Sequence, residues 1–446
     1  MSDYRTVASD IVAKALALGA TDAECTVSAG TEFSANVRLR EIDQLKEAGS
    51  RGAGVRVLIG RRTGSATTSD LTREGLDRMV RAALDNAGVT TDDPFAGLPT
   101  ECGSLDADLA LYSPEVAALS AAWKIEQARV AEETALSADP RIANSEGASF
   151  DTYLSERAFA NSRGFVGGYR SSSCSMSVVP VAKDGDKMER DYWYTIARTP
   201  ARLDPAVEVG KRAAARVVRR LGSRKPPTRK APVVFEPRVA RSLLANLFEA
   251  VSGDSIYRQS SFLNGRLGER VASERVTVFD DPTIPGLFGS YPFDDEGVSA
   301  RKKIVVENGV LRTYLHNTYT AKKLETVTTG NAGRGLAGNA YVDHGNFYLS
   351  AGELTPEKII SQTGDGLYVT ELLGQGVNIV NGDYSRGAAG LWIENGELAY
   401  PVSEITIAGN LAQMFREIDA IGNDLVFQGS IAAPTIRIGE MTVSGT

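Results

Sequence analysis

The sequence predicts an α+β protein in two parts, a mixed N-terminal α/β domain followed by a mainly antiparallel, barrel- or sandwich-like β domain. Three observations predict it. At 446 residues the chain is longer than one hydrophobic core usually serves. Helical and strand periodicities alternate through its first half, whereas the second half is dominated by short strands joined at Asn-Gly turns. Between the halves, Gly222-Ser223-Arg224-Lys225-Pro226-Pro227-Thr228-Arg229-Lys230 combines helix breakers with clustered charge, as a linker does. The expected division is residues 1–222, a linker over 223–236, and the β-rich domain over 237–446.

Taken in order, Tyr4, Val7, Ile11, Ala15 and Leu18 fall on one helical face, with Gly19 as the stop. Asp3 and Asp10 interrupt the apolar pattern, so this reads as an amphipathic helix and not a signal peptide. Glu32 to Asp43 alternates as one strand, and Ala53–Ile59 with Gly64–Thr68 reads as a hairpin. Leu71 to Ala87 returns to helix. Asp184-Gly185 tolerates the positive φ of a tight turn and joins Met176–Ala182 to Met188–Ile196. Pro205 to Leu221 is a basic amphipathic helix. Beyond the linker, Pro237 suits a first helical position, and Val239, Leu243, Leu244, Leu247 and Val251 give that helix a wide apolar face. Asn308-Gly309 joins Lys302–Val306 to Val310–Leu315, and Asn395-Gly396 joins Leu391–Ile393 to Leu398–Val402. Glu357–Thr363 is a short helix, and Asp424 to Val443 offers two closing strands.

Composition excludes several classes. A formal net charge of -7 argues against a nucleic-acid backbone as the main partner, and no apolar run approaches the ~20 residues that span a bilayer. Cys25, Cys102 and Cys174 are odd in number and widely spaced, which fits reduced, buried thiols in a cytoplasmic protein. With only His316 and His344 as imidazoles, neither having a partner at helical spacing, no zinc ligand set is expected in this chain. Both histidines read as hydrogen-bonded structural residues.

Gly333-Arg334-Gly335-Leu336-Ala337-Gly338 spells G-x-G-x-x-G, but a dinucleotide fingerprint follows a strand and opens a helix. Here helix-like Tyr319–Leu324 precedes it and strand-like Ala340–Leu349 follows, so it reads as a glycine-rich loop. The acidic sets Asp280-Asp281 and Asp294-Asp295-Glu296 flank a Pro/Gly-rich loop; solvated loop carboxylates are favoured over a hard-cation site. Gly382-Asp383-Tyr384-Ser385-Arg386-Gly387 offers an arginine and two hydroxyls from a glycine-flanked turn, a set suited to a peptide carbonyl or carboxylate.

At these residues the chain resembles the TldD/PmbA family, specifically its TldE (PmbA) branch. The matching blocks are Gly382-Asp383-Tyr384-Ser385-Arg386-Gly387-Ala388-Ala389-Gly390-Leu391-Trp392-Ile393-Glu394-Asn395-Gly396-Glu397 and Tyr400-Pro401-Val402-Ser403-Glu404 with the Ile-Thr-Ile-Ala-Gly-Asn that follows. Tyr319 to Leu324, Thr329-Gly330-Asn331-Ala332, Ser261-Phe262-Leu263, Pro292-Phe293-Asp294 and Asp295-Glu296-Gly297-Val298 match as well. The resemblance implies a two-subunit intracellular protease acting on unfolded or modified peptides. Its TldD subunit holds zinc through an H-E-x-x-x-H helix and a later cysteine, and its TldE subunit completes the chamber. The metal helix corresponds here to Arg238–Val251, which has no histidine and one acid, Glu249; the tail from Gly422 has no cysteine.

The expectation is therefore a non-catalytic subunit with no cofactor of its own, zinc lying in a TldD-like partner. Asp383, Tyr384, Ser385, Arg386 and Glu404 are the substrate-cleft candidates. The competing readings are a peptide-binding homodimer without chemistry and a natural-product-modifying hydrolase on the same fold.

Overall fold

The computed structural model describes residues 4–445. Asp3 lies outside them. The first half comprises α1 (Tyr4–Ala17), β1 (Asp22–Arg38), β2 (Glu41–Ile59), β3 (Arg62–Thr68), α2 (Arg73–Val89), α3 (Pro114–Ala118), α4 (Ala121–Ser137), β4 (Ile142–Asn161), β5 (Val166–Asp184), β6 (Lys187–Arg190), β7 (Trp193–Ala197) and α5 (Ala206–Val218). Its strands form one antiparallel sheet in the order β3-β2-β1-β4-β5-β6, with β7 also on β5.

Strand alternation gives this sheet two unlike sides. Cys25 and Val27 of β1, Val55 and Val57 of β2, Phe150 of β4, and Cys174, Met176 and Val178 of β5 point to the side covered by α1, α2, α4 and α5. The other side carries Ser28, Gly30 and Ser34 of β1, Ser149 and Ser155 of β4, and Ser171, Ser173 and Ser177 of β5. These hydroxyls bond one another and Asp151: Ser34 Oγ donates to Asp151 Oδ1 at 2.5 Å, Ser149 Oγ to Asp151 Oδ2 at 2.8 Å, and Ser155 meets Ser171 at 2.8 Å.

Three boundaries differ from expectation. The single strand over 32–43 is two strands turning at Leu39-Arg40, both at positive φ (50° and 71°) without glycine or asparagine to announce the turn. The carboxylate of Glu132 on α4 holds that turn, accepting from Leu39 N at 2.9 Å and Arg40 N at 2.7 Å. The strand expected over 188–196 breaks at Asp191-Tyr192, because buried Asp191 turns away to pair with Arg216 of α5 at 3.2 Å. Residues 229–235, read as the end of the linker, form β8 at the heart of the second half.

That half comprises β8 (Arg229–Phe235), α6 (Pro237–Val251), α7 (Gly253–Tyr257), β9 (Val278–Asp280), β10 (Lys303–Glu307), β11 (Val310–Leu311), α8 (Thr318–Lys323), β12 (Ala332–Gly333), β13 (Tyr341–Val342), β14 (Phe347–Leu349), α9 (Pro356–Ser361), β15 (Gly366–Leu373), β16 (Asp383–Glu394), β17 (Glu397–Asn410), α10 (Leu411–Arg416), β18 (Ile418–Ile421), β19 (Ile431–Ala432) and β20 (Ile436–Ser444). The strands β17-β16-β15-β8-β20 close into a barrel because β17 also pairs with β20, and β18 extends it. A second sheet runs β11-β10-β9-β14-β19. Helix α6 touches both, burying Val239, Leu243, Leu244, Leu247 and Val251 in their shared core. Both Asn-Gly hairpins form as expected, with Asn308, Gly309, Asn395 and Gly396 all at positive φ.

The halves meet through close backbone contact and buried charge. A Cβ on Gly54 of β2 would lie 2.2 Å from the carbonyl oxygen of Leu336, so only glycine lets the 334–338 loop seat on the sheet.

Candidate active-site cleft and family membership

At this junction a cleft of about 500 Å³ opens between the hydroxyl side of the N-terminal sheet and the loops at 288–295 and 332–344. Tyr153, Arg157 and Tyr169 form one wall; Tyr291, Asp295 and His344 stand opposite. Arg157 sits across the strand pair from Tyr169 and reaches over the cleft to Asp295, Nη2 to Oδ1 at 2.8 Å. A cavity of about 660 Å³ lies nearby around Arg5 and Arg170, but it gathers none of the buried carboxylates.

Beneath the cleft the acidic sets are buried, neither solvated nor converging on a cation site. Asp294, 2% exposed, accepts from the amides of Glu296 (3.0 Å), Val298 (2.9 Å) and Ala332 (3.0 Å) and so fixes the 294–298 turn. Burial, reinforced by repulsion from Glu296, raises its carboxyl to about 7. A group titrating there suits proton transfer, but both its oxygens are already committed to backbone amides, which makes it an organiser of the loop. Burial also raises Glu296, with Glu24 adding to it, and Asp295, which Arg157 partly relieves. Asp280 accepts from Gly345 N at 2.6 Å and Asn331 Nδ2 at 2.7 Å and pairs with Lys303 at 2.8 Å.

Arg334, the second residue of the glycine-rich loop, plunges into this layer. It bonds Glu24 of β1 through Nη1 and the Asp295 carbonyl through Nη2 at 2.6 Å, while Arg56 reaches the same Glu24 oxygen at 2.6 Å. Burial works against ionisation of Glu24, but the two guanidinium groups outweigh it and hold the carboxyl below its usual range. The loop is a charged strut between the halves.

The five sequence candidates lie outside this cleft; Asp383, Tyr384 and Ser385 line a separate pocket of about 500 Å³. Residues 383–386 are the start of β16 and not a turn, so alternation sends Asp383 and Ser385 outward and Tyr384 into the core at 1% exposure. The Tyr384 hydroxyl has no hydrogen-bond partner, and burial pushes it upward. Arg386 donates Nε to the Leu373 carbonyl at 3.2 Å, away from the cleft. Glu404 sits at positive φ (51°) in a bulge of β17, exposed and paired with Lys225 at 3.0 Å. The cleft residues were present in the matching blocks Pro292-Phe293-Asp294, Asp295-Glu296-Gly297-Val298 and Asn331-Ala332. Their spacing gave no hint that β4 and β5, more than a hundred residues earlier, would supply the other wall.

Family models match along the chain: the PmbA/TldA metallopeptidase domain 1 at residues 23–87, the central domain at 114–221, and the C-terminal domain at 228–445. Metalloprotease PmbA of Escherichia coli O157:H7 is 40% identical over 99% of this chain and 97% of its own. The chain belongs to the PmbA/TldD family. The PmbA homolog of Haemophilus influenzae is 39% identical over 99% of this chain and 96% of its own. Among solved structures, a putative modulator of DNA gyrase from Bacteroides thetaiotaomicron superposes with a TM-score of 0.93 at 28% identity, each chain covered fully. TldE from Thermococcus kodakarensis shares the fold, with a TM-score of 0.89 at 22% identity over 98% of this chain and all of its own.

Metallopeptidase chemistry in this family prompts a test of the donors present. No three His, Cys, Asp or Glu side chains among the described residues converge as a metal ion requires. His316 is 5% exposed, faces Thr320 Oγ1 at 3.4 Å, and is pushed down to about 4 by burial. The His344 ring packs against Phe248 of α6 at 4.6 Å, with Nδ1 at 2.8 Å from the Gly345 carbonyl. Among the described residues, no donor set fits zinc. The thiols of Cys25 and Cys174 are buried, and burial raises both. Among the described residues no helix is long and apolar enough to cross a membrane.

Proposed function

We propose that this chain is the non-catalytic TldE/PmbA-type subunit of a cytoplasmic two-subunit metallopeptidase, and that its junction cleft receives unfolded or modified peptide while a TldD-like partner supplies zinc. The observation that carries this reading is helix α6. The resemblance aligns it with the metal helix, yet its apolar stripe is sunk in the core and it bears Phe248, not an imidazole, toward His344. Zinc-bound water becomes a useful nucleophile near neutrality only when the metal is firmly held, so a chain without ligands has no such nucleophile of its own. The cleft supports a peptide-contacting role: aromatic rings, the Arg157–Asp295 pair and a hydroxyl-lined approach suit a backbone with varied side chains.

The test is cleavage of an unfolded peptide by the purified chain, alone and co-expressed with a TldD-like subunit. Turnover is expected only from the pair and is expected to vanish with a chelator. Zinc-dependent turnover by this chain alone would overturn the assignment.

A further inference from the structure

A further cavity, of about 270 Å³, gathers more positive charge than the chain neutralises. Its charged lining is Asp191, Arg216, Arg238, Arg241, Glu371 and Arg386. The acids are already engaged. Asp191 pairs with Arg216 at 3.2 Å, and Glu371 accepts from Arg220 at 2.5 Å. Arg216 is satisfied in turn by Glu236, whose two oxygens it meets at 2.9 and 3.0 Å. Arg238 and Arg241 of α6 and Arg386 of β16 have no carboxylate within ion-pair distance among the described residues.

Each of these three arginines makes one hydrogen bond, and each is half-buried. Arg238 Nη1 donates to the Tyr192 carbonyl at 3.2 Å, Arg241 Nη1 to Tyr194 Oη at 3.0 Å, and Arg386 Nε to the Leu373 carbonyl at 3.2 Å. A guanidinium has five N–H donors, so most remain available. Arg238 Nε is buried with no partner at all. The stacked rings of Tyr192 and Tyr194 fix Arg238 in place, its guanidinium 4.2 Å from the first ring centroid and 5.4 Å from the second. The helix, the strand and the tyrosines place all three in the lining of one cavity, where like charges repel.

We propose that this cavity is an anion site that takes a phosphoryl group, either as inorganic phosphate or on a small phosphate ester. A carboxylate is satisfied by one arginine fork, whereas a phosphoryl group brings three acceptor oxygens and a charge near -2, which matches three guanidinium groups lining one cavity. The volume lies just below the roughly 300–1,000 Å³ of cavities that hold drug-sized ligands, so a compact anion is the fitting occupant. The three arginines all come from the C-terminal half, α6 and β16, and Asp191, Tyr192 and Arg216 close the cavity from the N-terminal half. This inference stands independently of the peptidase reading.

The experiment is calorimetric titration of the full chain with inorganic phosphate, with sulfate as competitor and glycerol phosphate as a parallel ligand. Saturable one-to-one phosphate binding is expected, competed by sulfate and weakened about tenfold or more in Arg241→Gln and in Arg386→Gln. Tighter binding of glycerol phosphate would identify the ester as the better occupant, and equal or weaker binding the free anion. Circular dichroism checks the fold of each variant; if a glutamine variant unfolds, Arg386→Lys replaces it, keeping the charge, losing the fork and still weakening binding. No saturable binding at millimolar phosphate, or unchanged affinity in the folded variants, sinks the proposal.

Discussion

His316 is a neutral ring enclosed by the fold, and its cost appears only in acid. Burial holds it near 4 against 6.5 for an ordinary imidazole, so the unfolded chain takes up a proton there before the folded one does. Its contribution is therefore complete above about 6.5 and is lost as pH falls toward 4. A gap of that size corresponds to about 3 kcal/mol. Urea unfolding of His316→Gln between pH 4 and 7 should show a flatter stability profile than the parent; parallel profiles would refute the burial argument. Asp294 runs the opposite way, since its raised carboxyl favours the folded state at low pH and loses that contribution as pH climbs through 7. Both histidines read in sequence as hydrogen-bonded structural residues; buried His316 beside Thr320 fits that reading, whereas His344, bonded to the Gly345 carbonyl, also stands in the cleft wall. The site residues were less legible: a glycine on each side suggested a turn at 383–386, but hydrogen bonding to β15 and β17 made it a strand, and a strand shows alternate residues to opposite sides.

Among the elements, the hairpins divide sharply by how they announce themselves. Asn308-Gly309 and Asn395-Gly396 were readable because those residues accept positive φ at little cost. Leu39-Arg40 was not, because neither residue favours that conformation, and a side chain from another element stabilises it. Replacing Glu132 with alanine leaves the Leu39 and Arg40 amides without their acceptor. The expected loss is about 1–3 kcal/mol, with faster amide exchange confined to the β1–β2 tip. Unchanged exchange there would show that the turn holds itself. The same reasoning explains β8: lysine, arginine and proline marked 222–230 as a linker, while barrel closure needed 229–235 as a central strand between β15 and β20.

For the whole molecule, the α+β plan with a mainly antiparallel, barrel- or sandwich-like second part was legible from periodicity and turns; its closure into a barrel, with β8 parallel to β15, was not. Nor was the cleft, because it exists only where segments from both halves meet. Arg334 is one of several charged ties between the halves, bonding Glu24 across 310 positions, as Arg157 ties to Asp295 and Arg216 to Glu236. Arg334→Met is expected to cost about 3–5 kcal/mol, since it strips one partner from a buried carboxylate. It should also turn one calorimetric transition into two as the halves uncouple. A single, unshifted transition would mean that the remaining ties, the Gly54–Leu336 contact and the Arg216–Glu236 pair among them, suffice.

The serine-lined side of the N-terminal sheet has a further consequence. Water already satisfies hydroxyl groups well, and such a surface has little grease to offer, so displacing its hydration shell brings small reward. On the proposed function, peptide lying there would be held by shape and passing polar contacts and would exchange quickly, so that a slippery floor of this kind would let many unrelated sequences move through without any one of them sticking.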